Sequence, residues 1–304
     1  MRVSTNMIFD QGVRALQTQS AALLYTGQQI ATGRKILTPA DDPVASARAL
    51  DVTQSRSVNK QFITNQGYAE DALKLVEGQL DGAGEIIQYA RERVLAAGNP
   101  ALSDVDRKSI ATDLKAQFDA MLAIANTRDA NGDYLFAGYK SDKTPFAKTI
   151  DEATETLGGA YSGDQGTRTM QVSSSRFMPV SFGGERVFGA GDDSVFKVLG
   201  EFIGALEGSG AVSGAVSTAL GGLDTSLDNV LTTRAQIGSQ LVEVEQLGFI
   251  GSELDLQYAT TLSSLQDLDY NEAISRLTQQ QTYLQAAQQS FLKTTGLSLF
   301  NYLS

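Results

Sequence analysis

The sequence predicts a mainly α protein: an elongated antiparallel helical bundle or coiled coil built by its N- and C-terminal parts, with a small β-rich insertion. Apolar residues recur at alternating three- and four-residue steps through most of the 304 residues, the spacing of helices packed along a seam. The pattern breaks over 144–194, where 8 of the 29 glycines fall within 51 residues and apolar positions alternate instead. Helices with thin seams are marginal alone in water, so the segments before and after the break must pack together. The insertion then sits at one end and the two termini meet at the other.

The first helix is marked by Phe9, Val13, Leu16, Ser20, Leu23, Gly27 and Ile30. Thr38-Pro39-Ala40-Asp41-Asp42-Pro43 ends it and opens the second, with Asp42 as cap and Pro43 at the first helical position, where no N–H is needed. Ala69, Leu73, Val76, Leu80, Ala83, Ile87, Ala90 and Val94 form its seam, and Pro100 closes that region. Ser103 with Asp106 reads as a capping box for a helix through Ile110, Leu114, Met121 and Ile124, widened by Ala111, Phe118 and Ala125. In the insertion, Met170/Val172 and Met178/Val180/Phe182 alternate, and Gly183-Gly184 reads as a turn. Helical spacing returns through Val216, Leu220, Leu223, Leu227, Val230, Ile237, Leu241 and Val244, interrupted by Arg234. Tyr270, Ala273, Leu277, Leu284, Ala287 and Phe291 mark the last helix, with Gln280 on its seam. The expected parts are terminal coiled-coil arms at 1–42 and 268–304, a helical rod at 43–143 and 195–267, and the insertion at 144–194.

Composition narrows the chemistry. There is no His, Cys or Trp, which removes the usual zinc sites, Cys and Ser–His nucleophile systems and disulfide scaffolds. Net charge is −11 with no basic run, so nucleic acid and anionic membrane surfaces are not expected partners. Residues 1–150 carry 17 Lys+Arg and 17 Asp+Glu; residues 151–304 carry 7 and 18, the whole imbalance. No stretch reaches the ~20 apolar residues of a membrane span. The N-terminus lacks the apolar run and small-residue cleavage site of a Sec-type signal peptide.

Local patterns offer no complete active site. Asp129-Ala130-Asn131-Gly132-Asp133 opens like a calcium loop, but Tyr134 replaces the required glycine and Lys140 the closing glutamate, so a capped turn is expected. Ser194-Val195-Phe196-Lys197 matches S-x-x-K without S-D-N or K-T-G. Gly189-Ala190-Gly191 lacks the third glycine of a dinucleotide fingerprint and is followed by Asp192 and Asp193, where a pyrophosphate would sit. No enzyme, cofactor or metal is therefore expected. A helical adhesin or a bundle enzyme are the remote alternatives.

The two ends are informative. Residues 1–33 contain only Arg2, Asp10 and Arg14 as charged groups, and residues 278–304 only Lys293, where the average of 19% would place about six and five. Amphipathic helices that shed charge but keep Gln, Ser and Thr suit burial against protein rather than water. Their seams are weak, which predicts arms that are mobile in the monomer and ordered on assembly.

Ile30-Ala31-Thr32-Gly33-Arg34-Lys35-Ile36 with Asp41-Asp42-Pro43, and the stretch from Asp267 to Leu303 ending Leu299-Phe300-Asn301-Tyr302-Leu303, resemble the terminal signatures of the flagellin superfamily of bacterial axial proteins. Within it, Asn131-Gly132-Asp133-Tyr134-Leu135-Phe136-Ala137-Gly138-Tyr139 is similar to the hook–filament junction branch rather than to filament flagellin, the alternative reading. The resemblance implies a structural adapter: a homo-oligomeric ring at the hook–filament junction on which flagellin assembles. It implies hook-associated protein 1, flagellin and a cytoplasmic export chaperone at the C-terminal helix as partners. It also implies type III flagellar export without a cleaved signal peptide, an extracellular location, and an outward-facing insertion. The residues expected at the assembly interface are Phe9, Val13, Leu16, Leu23, Ile30, Tyr270, Leu277, Leu284, Ala287, Phe291, Phe300 and Leu303. Those of the family motifs are Thr32, Gly33, Asp41, Asp42, Pro43, Tyr134, Phe136 and Gly138.

Overall fold

The structure is a computed structural model that describes residues 2–151, 156–208 and 212–303, with side chains other than those of 2–6, 8 and 296–303. Among the described residues, seven α-helices and four short strands follow in the order α1 (Arg2–Thr32), α2 (Pro43–Ala97), α3 (Asp104–Ala125), β1 (Phe146–Ile150), β2 (Leu157–Tyr161), β3 (Thr169–Gln171), β4 (Phe177–Pro179), α4 (Gly184–Phe188), α5 (Val195–Glu207), α6 (Ser213–Gln266) and α7 (Tyr270–Leu303). Two compact units result, one of residues 1–58 with 254–304 and one of 59–253. The mainly α class with a small β-rich insertion is observed. Among the described residues, no helix is long and apolar enough to cross a membrane.

Boundary chemistry follows the residues. Asp42 Oδ1 accepts the Ala45 N–H at 2.9 Å, and α2 begins at Pro43. At α3 the Ser103–Asp106 capping box is complete: Asp106 N–H donates to Ser103 Oγ, and Ser103 N–H to Asp106 Oδ2.

In the unit of 59–253, the α2 series Ala69 through Val94 is buried to within 1% of exposure. It meets Leu223, Val230, Ile237 and Val244 of α6 and Ala111, Leu114, Phe118, Met121 and Ala125 of α3 in one core. Two registers differ from expectation. In α6 the seam runs through Ser226 and Thr233, both buried, while Leu227 is only partly buried. Arg234 stands beside the seam, ion-paired with Glu77 and Asp81 at 2.7 and 2.8 Å. A hydroxyl can occupy a seam because it bonds back into its own helix: Ser226 Oγ donates to Gly222 O and Thr233 Oγ1 to Asn229 O. In α3, Ile110 and Ile124 lie at the margin and Phe118 and Ala125 at the centre.

The insertion folds as two antiparallel hairpins, β1 with β2 (Phe146 opposite Tyr161) and β3 with β4 (Gln171 opposite Phe177). Of the expected alternation, β3–β4 contains Met170 opposite Met178, while Val172, Val180 and Phe182 lie just beyond the strands; β1–β2 was not legible, because β2 reads Leu-Gly-Gly-Ala-Tyr. Its Gly159 is needed where the Phe196 ring crosses: a Cβ there would lie 2.7 Å from the ring. Gly183-Gly184 is not a hairpin turn. Gly183 precedes α4, and Gly184 is buried against Phe146 and Tyr161. Phe118, Phe136, Phe146, Phe188 and Phe196 form an aromatic cluster with centroid spacings of 4.9–6.0 Å. Amide side chains clip the strands to the helices. Asn65 Nδ2 donates to Gln171 O, Gln66 Nε2 to Val172 O, and Asn126 both donates to Phe146 O and accepts its N–H.

Candidate assembly surface

In the unit of 1–58 and 254–304, α1 and α7 pack along their length. Val13, Leu16, Leu23, Ile30, Leu277, Leu284, Ala287 and Phe291 are half-buried, Ala273 is fully buried, and Phe9 and Tyr270 stay 50% exposed. The predicted seam residues are therefore brought together, within one chain. The Phe9 and Phe291 rings meet tilted by 48° at 5.3 Å between centres, and the Phe291 ring lies against Gly12, where a Cβ would stand 2.6 Å from it. The seam is partly polar: Thr26 and Gln29 are buried, and Gln19 Nε2 donates to Gln280 O at 3.4 Å. Two helices cannot cover a seam completely, which is why these apolar groups stop at half burial. Phe300 and Leu303 have side chains outside the described residues.

A second set was not singled out in the sequence. Met7 (64%), Leu24 (66%), Ile274 (52%), Tyr283 (54%) and Leu292 (69%) are exposed on the same helix pair. Ile274 and Leu292 are 18 residues apart, five helical turns, and so share one flank of α7. Tyr283 is nine residues from Ile274, two and a half turns, and lies on the opposite flank. The signal was available, since charge is scarce on every face of these helices rather than only on the seam.

The first motif group forms the joint between these helices and their neighbours in the unit. Gly33, with φ +69, ends α1, and its carbonyl accepts the Leu268 N–H at 3.0 Å. Lys35 N–H donates to Gln266 O at 2.9 Å, so the α1–α2 and α6–α7 connections are paired with each other. A Cβ on Gly33 would sit 3.0 Å from the Tyr270 hydroxyl. Exposed Thr32 bonds back into its own helix, to Gln28 O at 2.9 Å and Gln29 O at 3.3 Å. Asp41 Oδ2 accepts the N–H groups of Thr38 (2.7 Å) and Leu37 (2.9 Å). The Thr38 N–H foremost, then the Tyr25 hydroxyl, holds the Asp41 carboxyl below the usual carboxylate range. Burial, and then Asp41 itself, pushes the Tyr25 hydroxyl up.

The second motif group lies in the other unit and is not a surface. Tyr134 and Phe136 are buried. Arg128 stacks 4.3 Å from the centre of the Tyr134 ring and donates to its hydroxyl, which also meets Thr144 Oγ1 at 2.9 Å. Thr144 first, then Arg128, lowers the Tyr134 pKa. Phe136 O accepts the Gly184 N–H and the Tyr161 hydroxyl. Gly138 has φ +70, with Asp164 Oδ1 only 2.1 Å from where a Cβ would be. These residues set the fold of the loop between α3 and β1.

The Asp129 and Ser194 patterns are occupied by structural bonds. Asp129 Oδ1 accepts the N–H groups of Asn131 and Asp133, a capped turn, and Asp133 pairs with Arg168. Lys197 is ion-paired with Asp192 and Glu201, and Asp192 holds it protonated above the usual lysine range, the opposite of a general base beside Ser194.

Residues 3–141 match the bacterial flagellin N-terminal helical region. The chain is 36% identical to flagellar hook-associated protein 3 of Salmonella typhimurium and 37% identical to that of Escherichia coli, over 99% of each chain in both cases. It belongs to the flagellar hook-associated protein 3 family. The fold is shared by a solved putative flagellar hook-associated protein from Vibrio parahaemolyticus (TM-score 0.68, 23% identity, 75% of this chain and all of that one). It is shared also by the flagellar junction protein FlgL from Legionella pneumophila (TM-score 0.58, 20% identity, 72% of this chain and all of that one). The Tyr134–Gly138 segment of this chain is an internal keystone, and α1 and α7 carry exposed apolar side chains.

Proposed function

We propose that this chain is a structural subunit of the bacterial flagellum: a ring-forming adapter at the hook–filament junction on which flagellin assembles. The observation that carries the reading is the charge-poor α1/α7 pair, whose seam residues are only half covered and whose Met7, Leu24, Ile274, Tyr283 and Leu292 face outward. A closed ring needs two different surfaces on each subunit, and the Ile274/Leu292 flank and the Tyr283 flank supply an apolar surface on either side. Burying them between neighbours adds roughly 25 cal/mol per Å² of apolar area, without the desolvation cost that charged flanks would impose. The role is structural rather than catalytic. The partners are further copies of the chain, hook-associated protein 1 on one side and flagellin on the other, with an export chaperone at α7 inside the cell. The working location is extracellular, after export without a cleaved signal peptide. The terminal arms at 1–42 and 268–304 make the assembly contacts, the rod at 43–143 and 195–267 supports them, and the insertion at 144–194 faces outward.

The test is a clean deletion in the native bacterium, with flagella scored by microscopy and flagellin assayed in the medium. Hooks without filaments, and flagellin shed as monomer, are expected. Loss of filaments with no flagellin in the medium identifies a filament subunit instead, and normal flagella refute the assignment.

A further inference from the structure

Asn131-Gly132 is the one Asn–Gly dipeptide in the chain. It lies in the capped turn between α3 and the buried Tyr134–Gly138 segment, and both residues are exposed. Gly132 has φ +89, and nothing approaches within 4 Å of the position a Cβ would take, so neither a side chain of its own nor a neighbour screens this stretch of backbone. The turn is held by backbone donors. Gly132 N–H donates to Asp129 O at 3.0 Å, and the N–H groups of Asn131 and Asp133 donate to Asp129 Oδ1 at 2.8 and 3.0 Å.

We propose that Asn131 is a site of spontaneous deamidation through a cyclic imide, with the turn as its brake. The Gly132 backbone nitrogen, having lost its proton to solvent base, attacks Cγ of Asn131. The N–Cγ bond forms, the Cγ–Nδ2 bond breaks, and the amide nitrogen leaves as ammonia. Water then opens the imide at either carbonyl and returns aspartate or isoaspartate. One water is consumed, one ammonia is released, and no oxidant or reductant takes part. Glycine at 132 makes ring closure accessible, because no side chain crowds the attacking nitrogen. That same nitrogen is engaged with Asp129 O in the folded chain, so the turn must open first. A slowing of about tenfold, equivalent to about 1.4 kcal/mol, matches the loss of one or two net hydrogen bonds.

Either product adds a carboxylate beside Asp129 and Asp133, the latter paired with Arg168 at 2.8 Å. Isoaspartate also inserts a backbone carbon between residues 131 and 132, three residues before Tyr134. That shifts the register in which Tyr134 N–H reaches Ser141 O and Leu135 N–H reaches Thr127 O. A modification at an exposed turn thus reaches the keystone segment through the chain itself.

The experiment incubates the full-length chain, native and urea-denatured, in one mildly alkaline buffer and follows residue 131 by peptide mapping with an isoaspartate assay. In the denatured chain Asn131 is expected to convert ahead of Asn229 and Asn271, giving both products. In the native chain it converts about tenfold more slowly, and hydrogen-exchange protection of the Gly132 amide matches that slowing. Asn131→Gln abolishes the signal, and Asp129→Ala brings the native rate toward the denatured one. If Asn131 converts no faster than Asn229 in the denatured chain, the site is refuted. Equal native and denatured rates, or a Gly132 amide that exchanges without protection, refute the brake, and the hydrogen-exchange result stands even where Asp129→Ala fails to fold.

Discussion

Leu284→Asp separates the arm pair from the rest of the molecule. Leu284 is half-buried on the α1/α7 seam. Full burial of a leucine is worth about 1.5–3 kcal/mol, so half burial contributes about 1 kcal/mol. An aspartate there adds about 1–3 kcal/mol for a carboxylate facing an apolar seam, and about 0.5 kcal/mol in helix propensity. The total is about 2.5–4.5 kcal/mol, against a pair whose seam is thin and carries buried Thr26 and Gln29. The core of the 59–253 unit contains none of these residues. Limited proteolysis with circular dichroism is the assay. The variant is cleaved over roughly 1–35 and 275–304 faster than the parent chain and loses assembly, while a fragment close to 59–253 persists with its own melting transition. Leu24→Asp is the companion, at a position already 66% exposed; it leaves the pair folded, within about 0.5 kcal/mol, and still prevents assembly. The reasoning fails if Leu284→Asp assembles normally, or if Leu24→Asp opens the pair to protease as much as Leu284→Asp does.

Two further predictions concern the motif residues. Gly138→Ala forces a side chain into a φ of +70 and puts its Cβ 2.1 Å from Asp164 Oδ1, an oxygen already bonded to the N–H groups of Tyr139 and Gly166; a loss of about 2–4 kcal/mol in thermal or denaturant unfolding is expected, and an unchanged midpoint counts against the keystone role. Asp41 has its pKa depressed in the folded chain, so its contribution is present above the unfolded value near 3.9 and is lost as pH falls through the folded one. The amide signals of Leu37 and Thr38 should therefore shift together below about pH 4, and Asp41→Asn should remove that step.

Much of the helical architecture was legible because it depends on period and capping, which are local. The α2 series from Ala69 to Val94, the Asp42-Pro43 start and the Ser103–Asp106 box need only neighbours within a turn or two to declare themselves. The hairpin β1–β2 was not legible, because Gly158 and Gly159 read as loop until the Thr149 hydroxyl beside the first and the Phe196 ring beside the second are known. Gly183-Gly184 read as a turn for the same reason: its cause is the close approach of Phe146 and Tyr161, residues 23 or more positions away. Arg234 was placed on the seam because a run of threes and fours admits either of two adjacent registers. Thr233 takes the position since its hydroxyl bonds within its own helix, whereas a guanidinium needs Glu77 and Asp81 at the edge.

The assembly surface divides in the same way. By itself the sequence determined that both ends are amphipathic and stripped of charge, because charge content and period are properties of composition and order. Its motifs also sufficed to place the chain in its superfamily. Only the tertiary structure decided which residues face which way. It pairs Leu16, Leu23, Leu284 and Phe291 inside one chain and leaves Leu24, Ile274, Tyr283 and Leu292 outward. It also shows that the motif residues Tyr134, Phe136 and Gly138 are buried framework. Burial depends on what a side chain meets across the fold, and those meetings, between residues as far apart as Phe9 and Phe291, are fixed by packing rather than by neighbours in the chain.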